Sequence, residues 1–453
     1  MLRGLTGLLF ASLVSQLLCT AVLPAAEKPN VLVVVADDLG WADVGFHGSK
    51  LPTPNLDKLA GEGVVLDQHY VAPVCTPTRA ALLSGRYWSR FGNTAPSNTR
   101  VYPFGTVTLA SALKSVGYAT AITGKWHLGS MPEWGPTKFG FDHSYGSLAG
   151  GTGPWNHRYK MGDYTHTWHR NDELIEEEGH VTDLLADEAV KFLSLEHEKP
   201  FFLYVPFTAV HHPLQEPEVW LAAGQKADPK RPQYAASVMH MDDAVGRLLT
   251  ALERSGKQEN TIVVFFSDNG GMPPGPADRD NARYPGEYPQ GELLGDNTPL
   301  RGYKTQLYEG GIRVPAVIRW PAELKPGKAT TPVHVVDWMP TLTALAGYQP
   351  QDDLKWDGRS AWPAIRGEST SADAVDRVLY WDGPGHRSGV IRQGDWKLVV
   401  HHASGGDRIE LFDLANDPQE KHDLADKQAE RVVAMRKLLA AERAKDGDAV
   451  VKP

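Results

Sequence analysis

Residues 29–40, PNVLVVVADDLG, set the architecture of this chain, because a run of apolar residues leads directly into two aspartates. A run this short and this uniformly apolar predicts a strand that is buried on both faces, as in a parallel sheet. Four further runs share the same character. They are residues 118–123 (YATAIT), 201–205 (FFLYV), 261–266 (TIVVFF) and 316–320 (AVIRW).

Helical patterns separate these predicted strands. They cover residues 53–63, 108–117, 181–195 and 232–254. Alternation of strands and helices predicts an α/β fold with a mostly parallel sheet sandwiched by helices. The last part of the chain differs: residues 388–402 predict a hairpin that turns at residues 393–395, and residues 425–443 predict a helix. A smaller C-terminal α+β subdomain on an antiparallel sheet is therefore expected.

The first residues predict export. Arg3, an apolar run over residues 5–18 and small residues near Ala25 are typical of a signal peptide. The predicted organisation is a signal peptide over 1–26, a catalytic domain over 27–370 and the subdomain over 371–453. A periplasmic or secreted protein without a membrane span is expected. The net charge of -9 argues against a nucleic-acid partner.

Polar clusters follow four of the predicted strands. They are Asp37-Asp38, Lys125-Trp126-His127, His211-His212 and Asp268-Asn269. Ligands of open α/β sheets bind beyond the carboxyl ends of the strands, so these clusters are expected to meet in one crevice. The oxygen ligands among them suit Ca²⁺ or Mg²⁺. Taken singly, each cluster is also consistent with an ordinary turn after a strand.

Cys75 lies in the sequence VAPVCTPTRAALLSGRY, residues 71–87, and Cys19 belongs to the predicted signal peptide. Pro77 suits the first turn of a helix and Gly85 suits its end. Cys75 is then at a helix N-terminus, where backbone N–H groups favour negative charge. Arg79 lies about one turn further on, so the pair is suited to holding an anion. A thiolate nucleophile is the alternative.

The cluster Cys75-Thr76-Pro77-Thr78-Arg79, followed by Leu83-Ser84-Gly85-Arg86, resembles the signature of the type I sulfatases of the alkaline phosphatase superfamily. The resemblance extends through TGKWHLG, FTAVHHPL, FFSDNGG, LRGYKTQLYEGGIRVP and LFDLANDPQE, in the family order. It spans nearly the whole chain after the signal peptide. The opening is most similar to the arylsulfatase B, or N-acetylgalactosamine-4-sulfatase, branch, and the exported chain without disulfides is expected to be a bacterial polysaccharide sulfatase.

This resemblance implies an alkaline-phosphatase-like fold and a set of catalytic residues. Those residues are Cys75, Arg79, Lys125, His127, His211 and Lys304. It also implies a calcium site, with Mg²⁺ as the alternative, formed by Asp37, Asp38, Cys75, Asp268 and Asn269. A formylglycine-generating maturation enzyme would convert Cys75 to Cα-formylglycine.

The implied reaction proceeds through a hydrated aldehyde at position 75. One hydroxyl attacks sulfur to form a sulfo-enzyme, His211 with Lys304 protonates the leaving oxygen, and His127 deprotonates the second hydroxyl to release sulfate.

Residues 141–171 are rich in aromatic and cationic side chains and are expected to bind sugar. The predicted contacts are His143, Trp155, His157, Arg158, His169 and Arg170. The alternative is a long loop held by its own aromatic packing.

The substrate expected from the sequence is a sulfated galactose or N-acetylgalactosamine sugar of an algal or host polysaccharide, with 4-O-sulfate as the hypothesis for position. Two alternatives stay open: a phosphonate or phosphodiester hydrolase of the same superfamily, and an inactive glycan-binding relative.

Overall fold

Alternate residues of the first strand face two separate hydrophobic cores. In β1 (Asn30–Ala36), Val31, Val33 and Val35 belong to one core, while Leu32 and Val34 belong to the other. The strand is therefore buried on both faces, as its apolar run predicts. The computed structural model describes residues 27–275, 281–289, 295–369 and 377–451. The predicted signal peptide lies outside these ranges, as does the predicted domain boundary after residue 370.

The strands of the described residues, in chain order after β1, are β2 Val64–Leu66, β3 His69–Tyr70, β4 Ala119–Lys125, β5 His143–Ser147, β6 Trp168–Arg170, β7 Glu173–Leu174, β8 Phe201–Pro206, β9 Thr261–Ser267, β10 Ala316–Arg319, β11 Gly327–Ala329, β12 Val333–His334, β13 Val378–Asp382, β14 Ser388–Gln393, β15 Trp396–His401 and β16 Arg408–Asp413. The α-helices are α1 Pro54–Glu62, α2 Cys75–Ser84, α3 Leu109–Ser115, α4 Val181–Leu193, α5 Glu218–Ala227, α6 Pro232–Arg254, α7 Glu309–Ile312, α8 Trp338–Leu345, α9 Trp362–Ile365 and α10 Ala429–Arg443.

The main sheet of the described residues has the order β11-β2-β10-β9-β1-β8-β4-β5-β6-β7. Its centre, β9-β1-β8-β4-β5, is parallel throughout. The predicted strand at 316–320 forms β10, which pairs antiparallel with β9 and so marks the end of the parallel region. Helices α1, α4 and α6 cover one face, and α2, α3 and α8 cover the other. The predicted α/β sandwich is confirmed.

The C-terminal strands β13 to β16 form an antiparallel sheet in sequence order. Gln393 pairs with Trp396 across the predicted turn. The helix α10 begins at Ala429, because residues 425–427 form a separate 3₁₀ turn. This sheet shares the core of the α2 face, where Trp381 and Val399 are buried. Within the described ranges no helix is long and apolar enough to cross a bilayer.

Candidate active site

The carboxyl ends of four neighbouring strands bring their polar clusters together. Lys125, at the end of β4, donates from Nζ to Asp37 Oδ2 at 2.5 Å. Asn269, after β9, donates from Nδ2 to Asp38 Oδ1 at 2.7 Å. His211, in the loop after β8, has its Nε2 atom 3.9 Å from Asp38 Oδ2. The convergence expected from the strand order is confirmed.

Cys75 is the first residue of α2 and is buried beside this cluster. The helix ends at Gly85, whose φ of 71° is left-handed, as the sequence predicts. Burial raises the pKa of the Cys75 thiol, although Lys125 and Lys304 act in the opposite direction. A buried thiol with a raised pKa has little thiolate character, which disfavours direct attack by sulfur.

Arg79 ties α2 to the ends of three strands. Its Nε and Nη2 atoms donate to Asp268 Oδ2 at 3.1 and 2.8 Å, and Nη1 donates to the carbonyl of Lys125 at 2.7 Å. Asp37 Oδ2 lies 3.5 Å from Nη2. Burial alone would lower the pKa of Arg79, but Asp268 and Asp37 outweigh it and raise that pKa. The guanidinium is therefore a permanent positive charge inside the site.

Three buried carboxylates face three buried cations. Asp37, Asp38 and Asp268 each place an oxygen within 4.8 Å of the others. Arg79 contacts Asp268 and Asp37, and Lys125 contacts Asp37. Lys304 Nζ lies 2.6 and 2.8 Å from the two oxygens of Asp38. Burial lowers the pKa of Lys304, yet the field of Asp38 and its neighbours raises it overall. The formal charges of these three carboxylates and three cations therefore cancel.

The oxygen atoms of this cluster fit a divalent cation. Asp37 Oδ1 and Asn269 Oδ1 are buried and have no hydrogen-bond partner among the described residues. Unpaired buried oxygens are costly, and hard oxygen donors suit Ca²⁺ or Mg²⁺. Burial also raises the pKa of Asp37 and Asp268, against the effect of the nearby cations. A bound cation would stabilise both carboxylates in their charged form.

His127 reaches the site by a turn of the backbone, with a φ of 58°. The strand β4 ends at Lys125, so His127 lies beyond it. Burial lowers the pKa of His127, and Lys125 and Arg79 lower it further. Its Nδ1 atom is buried without a hydrogen-bond partner among the described residues. A neutral imidazole in this position can accept a proton.

His211 and His212 have different surroundings. His211 Nδ1 lies 2.5 Å from the carbonyl oxygen of His212, and because a carbonyl only accepts, Nδ1 carries the proton. Burial, followed by the neighbouring His212, lowers the pKa of His211. His212 is buried and stacks on His211 with ring centroids 4.3 Å apart. Both imidazoles lie near Asp38, with one nitrogen of each ring within 4.8 Å of a carboxylate oxygen.

Left-handed backbone conformations occur at three residues in or next to the site. Asp38, His127 and Thr305 have φ values of 65°, 58° and 78° although none is glycine. Such conformations cost free energy and persist where the surrounding structure enforces them, which is common at functional sites. Here they turn the chain immediately beside the candidate catalytic side chains.

The glycine-rich loop 150–153 and Tyr284 form a wall of the site that the sequence analysis missed. A Cβ atom on Gly150 would lie 2.2 Å from His127 Nε2. A Cβ atom on Gly151 would lie 2.5 Å from the Tyr284 hydroxyl and 3.4 Å from His211 Cε1. Only glycine permits this approach. The sequence GGTG at residues 150–153, shortly after β5, is the pattern that could have indicated this loop.

Two of the predicted sugar contacts lie away from this cluster. His143 Nε2 is 2.8 Å from Glu188 Oε1, and Arg170 Nη1 donates to the same oxygen at 2.6 Å. His143 opens β5, whereas Ser147 at its other end pairs with Lys125. Four residues of strand separate the two by about 13 Å. Glu188 therefore holds His143 at the far end of β5, and Arg170, which pairs with Tyr145, contacts the same carboxylate. As sugar contacts, His143 and Arg170 stay predictions.

Three other predicted contacts are engaged within the protein. His169 is buried, with Nδ1 2.8 Å from the Gly146 carbonyl and Nε2 3.1 Å from Ser144 Oγ. His157 is buried, with Nε2 2.9 Å from the Gly179 carbonyl. Arg158 donates to Glu176 at 2.6 Å. The named polar atoms of His157, Arg158 and His169 thus bind protein, and their role as sugar contacts stays a prediction.

Trp155 is placed differently. It is 44% exposed, and its Nε1 atom donates to the Gln215 carbonyl at 3.0 Å. The residue therefore lies between the loop that packs on His127 and the loop that follows His211. Of the six predicted sugar contacts, Trp155 alone presents a broad exposed ring surface.

Protonation of buried histidines is expected to make the protein labile to acid. Burial lowers the pKa of His169 to about 4, of His47 to about 4 and of His69 to about 3. The unfolded chain binds these protons from about pH 6.5 downward, so the stability is full above that pH and falls towards pH 4. The His169→Gln variant should show a shallower loss of thermal midpoint between pH 6.5 and 4.5. The exposed His422→Gln control should keep the wild-type slope, and parallel curves for His169→Gln would contradict this assignment.

The C-terminal sheet fixes the loop that carries Lys304. Arg301 Nη1 donates to the Glu420 carbonyl at 3.0 Å before the loop. After it, Lys397 Nζ on β15 donates to Glu309 Oε1 at 2.8 Å and lies 2.8 Å from Glu420 Oε1. The side chains of Lys397, Glu309 and Glu420 are all fully buried. The position of Lys304 thus depends on residues almost a hundred positions later in the chain.

Comparison with known proteins gives a consistent result over most of the chain. Residues 29–348 match the family described as Sulfatase, and residues 303–445 match the one described as N-sulphoglucosamine sulphohydrolase, C-terminal. Arylsulfatase J of Mus musculus is 36% identical over 456 residues, which cover 88% of this chain and 73% of that protein. N-acetylgalactosamine-6-sulfatase of Rattus norvegicus is 32% identical over 382 residues, covering 79% and 68%.

A solved structure agrees with the sequence relatives. The crystal structure of Ps i-CgsB in complex with k-i-k-neocarrahexaose superposes with a TM-score of 0.81 at 31% identity, covering 93% of this chain and 94% of that one. The family match covers more than half of the chain and includes the strand ends, Cys75 and the Lys304 loop. The chain is a sulfatase, an enzyme of the sulfatase family within the alkaline phosphatase-like superfamily.

Proposed function

We propose that this sulfatase removes O-sulfate from oligosaccharides or polysaccharides of the galactose or N-acetylgalactosamine type, with the 4-O-sulfate as the first position to test. The observation that carries the proposal is the burial of Cys75 near three cations, Arg79, Lys125 and Lys304, whose charges suit a small anion. The sugar class is supported by two relatives, a carrageenan-oligosaccharide complex of Ps i-CgsB and an N-acetylgalactosamine-6-sulfatase. The latter makes the 6-O position the competing assignment.

A divalent cation, Ca²⁺ in the first place and Mg²⁺ as the alternative, is proposed to bind Asp37, Asp38, Asp268 and Asn269, with residue 75 close by. When bound, it would polarise the sulfate ester as a Lewis acid. The unpaired oxygens of Asp37 and Asn269 support this assignment. Lys304 and Lys125 contact the carboxylates, and with the ion bound they would be able to contact sulfate oxygens.

Residue 75 is proposed to act after conversion to Cα-formylglycine by a maturation enzyme. In its hydrated form, this group would supply one hydroxyl that attacks sulfur and a second whose deprotonation expels sulfate. His127, a neutral imidazole with a lowered pKa, is the proposed base for that second hydroxyl. Arg79 remains charged throughout and stabilises the developing negative charge.

Protonation of the leaving sugar oxygen is assigned to His211 together with Lys304. Burial lowers the pKa of His211 in the substrate-free protein. The negative charge of a bound sulfate ester raises the pKa of a neighbouring imidazole, which favours the protonated form when it is needed. Lys304, whose pKa is raised by Asp38, holds its proton until the leaving oxygen becomes strongly basic.

Trp155 is proposed as a platform for the sugar ring, because aromatic faces pack well against the apolar face of pyranose rings. Export to the periplasm or the medium after removal of residues 1–26 and membership of the arylsulfatase B-like branch are part of the same proposal. They are supported by the apolar leader sequence and by the opening motif.

The decisive experiment measures sulfate release from defined oligosaccharides that carry a single 4-O- or 6-O-sulfate on galactose or N-acetylgalactosamine. An aryl sulfate and an aryl phosphonate diester are measured in parallel. Preferential turnover of one sugar sulfate supports the proposal and identifies the position. Faster turnover of the phosphonate would favour the alternative hydrolase activity, and binding of all sugars without release would favour a glycan-binding relative.

Removal of the divalent ion is expected to lower both activity and stability. Without the ion, the unpaired oxygens of Asp37 and Asn269 remain buried, so chelation should lower the thermal midpoint by several degrees, as about 1–3 kcal/mol would do in a protein of this size. Ca²⁺ should restore the midpoint and the activity. The Asn269→Ala variant should respond less to chelation than the wild type. An unchanged midpoint in the chelator would contradict the assignment.

A further inference from the structure

Lys160 lies beside Tyr159 and Tyr284, and Tyr284 belongs to the wall of the site formed with the glycine-rich loop. Its Nζ atom is 5.9 Å from the ring centroid of Tyr159 and 5.6 Å from that of Tyr284. Both distances are within the range of a cation–π contact. Lys160 also contributes to the lowered pKa of His127, which places its charge in electrostatic reach of the catalytic imidazole. The lysine is only partly buried.

The two tyrosines connect Lys160 to the reacting position. Burial raises the pKa of Tyr159, and a hydrogen bond with Asn98 lowers it. The charges of Lys125 and Cys75 also act on this pKa. Tyr284 is buried, and its hydroxyl lies beside the backbone of Gly151. The rings thus extend from the neighbourhood of Cys75 outward to the ammonium group of Lys160.

The backbone holds this arrangement in place. Tyr159 N donates to the Thr165 carbonyl at 2.9 Å, which closes a short turn around Lys160. Met161 N donates to the Arg283 carbonyl at 2.8 Å, which ties that turn to the segment carrying Tyr284. The lysine stem therefore has a fixed origin beside the segment that carries Tyr284.

The position of this cation differs from that of the inner ones. Arg79, Lys125 and Lys304 are buried against carboxylates at the sulfate position. Lys160 instead lies beside the rings of Tyr159 and Tyr284, so its charge is suited to another part of the substrate. The polymers proposed as substrates carry more than one anionic group along the chain.

We propose that Lys160, supported by Tyr159 and Tyr284, binds a second anionic substituent of the substrate, a sulfate ester or a carboxylate, on the sugar that loses its sulfate or on its neighbour. This inference rests on the proposed carbohydrate substrate. It makes the enzyme selective for multiply charged oligosaccharides and assigns that selectivity to one side chain outside the catalytic set.

The test compares Lys160→Met with wild type on matched oligosaccharides that carry one sulfate, two sulfates, or one sulfate and one uronic carboxylate. The variant is expected to lose about tenfold in kcat/KM on a doubly charged substrate, mainly through KM, as for the loss of one partly shielded charge-assisted contact. The loss on the singly sulfated substrate should be at least fivefold smaller. A larger loss of kcat/KM on the doubly sulfated oligosaccharide identifies the second anion as sulfate. A larger loss on the oligosaccharide with a uronic carboxylate identifies it as a carboxylate.

Two controls separate this role from a general effect on folding. Lys160→Arg should retain most of the selectivity, and Lys58→Met, on the distant helix α1, should behave as wild type. Equal losses on singly and doubly charged substrates, or no loss on either doubly charged one, would overturn the assignment of Lys160. A wild-type enzyme that cleaves the aryl sulfate and none of the oligosaccharides would instead overturn the proposed function, and the assignment of Lys160 with it.

Discussion

Replacing Cys75 with alanine is expected to abolish sulfate release, by roughly 10⁶-fold, the loss typical of a hydrolase without its nucleophile. Cys75 is buried at the start of α2, and the charged residues of the site surround it. Alanine fits that space without disturbing the helix, so the thermal midpoint should change little. Sulfate release by Cys75→Ala at the wild-type rate would disprove the proposed mechanism.

The Cys75→Ser variant gives a sharper result. Serine has a hydroxyl that can attack sulfur, but it lacks the second hydroxyl that expels sulfate in the proposed reaction. A single turnover should therefore leave a sulfated serine at position 75, visible as the mass of one added sulfuryl group on the peptide that contains residues 75–79. In the wild-type protein, the same peptide should show the mass of the aldehyde in place of the thiol. A wild-type peptide with an unmodified thiol in fully active enzyme would contradict the formylglycine proposal.

The second large effect is expected at Arg79. In Arg79→Met, the carboxylates of Asp268 and Asp37 lose the buried cation that contacts them at 2.8 and 3.5 Å. Breaking a buried charge pair by removing one partner costs about 3–5 kcal/mol, which should be visible as a lower urea midpoint. Turnover should also disappear, because the sulfate position loses a permanent charge.

Arg86→Met provides the matched control for that prediction. Arg86 lies just beyond the same helix and pairs with Asp448, whose side chain is 30% exposed. Such a pair contributes about 1 kcal/mol or less. Similar urea midpoints for Arg79→Met and Arg86→Met would show that the buried Arg79 pairs stabilise the fold no more than a surface ion pair does. Added Ca²⁺ should not rescue Arg79→Met, since the ion cannot replace the link from α2 to Asp268.

The features that could be predicted from sequence are those specified by local rules. The run at 31–35 predicts a doubly buried strand, because its residues alternate between two faces that are both apolar. Pro77 and Gly85 indicate where α2 begins and ends. The meeting of Asp37, Lys125 and Asp268 follows once the strands are parallel, because their carboxyl ends then lie at one edge.

The features that escaped prediction depend on distant partners. His143 and Arg170 have the composition of a sugar site, yet both contact Glu188 on another element, and His143 lies at the far end of β5. His169 becomes a core residue because Gly146 and Ser144 bind both of its ring nitrogens. The turn at His127 also breaks the two-residue alternation expected of a strand. No local pattern distinguishes these histidines from a ligand-binding set.

The bracing of Lys304 by the C-terminal sheet has a consequence for biosynthesis. Groups that build or hold the site extend from Asp37 to Glu420, so the pocket is completed only when nearly the whole chain has emerged from the ribosome. Until then Cys75, which is 2% exposed after folding, belongs to an unfinished and open polypeptide. The proposed maturation enzyme must act within that interval of translation and export. Rapid overproduction should therefore yield molecules that fold with the thiol intact and stay inactive, however much maturation enzyme is supplied afterwards.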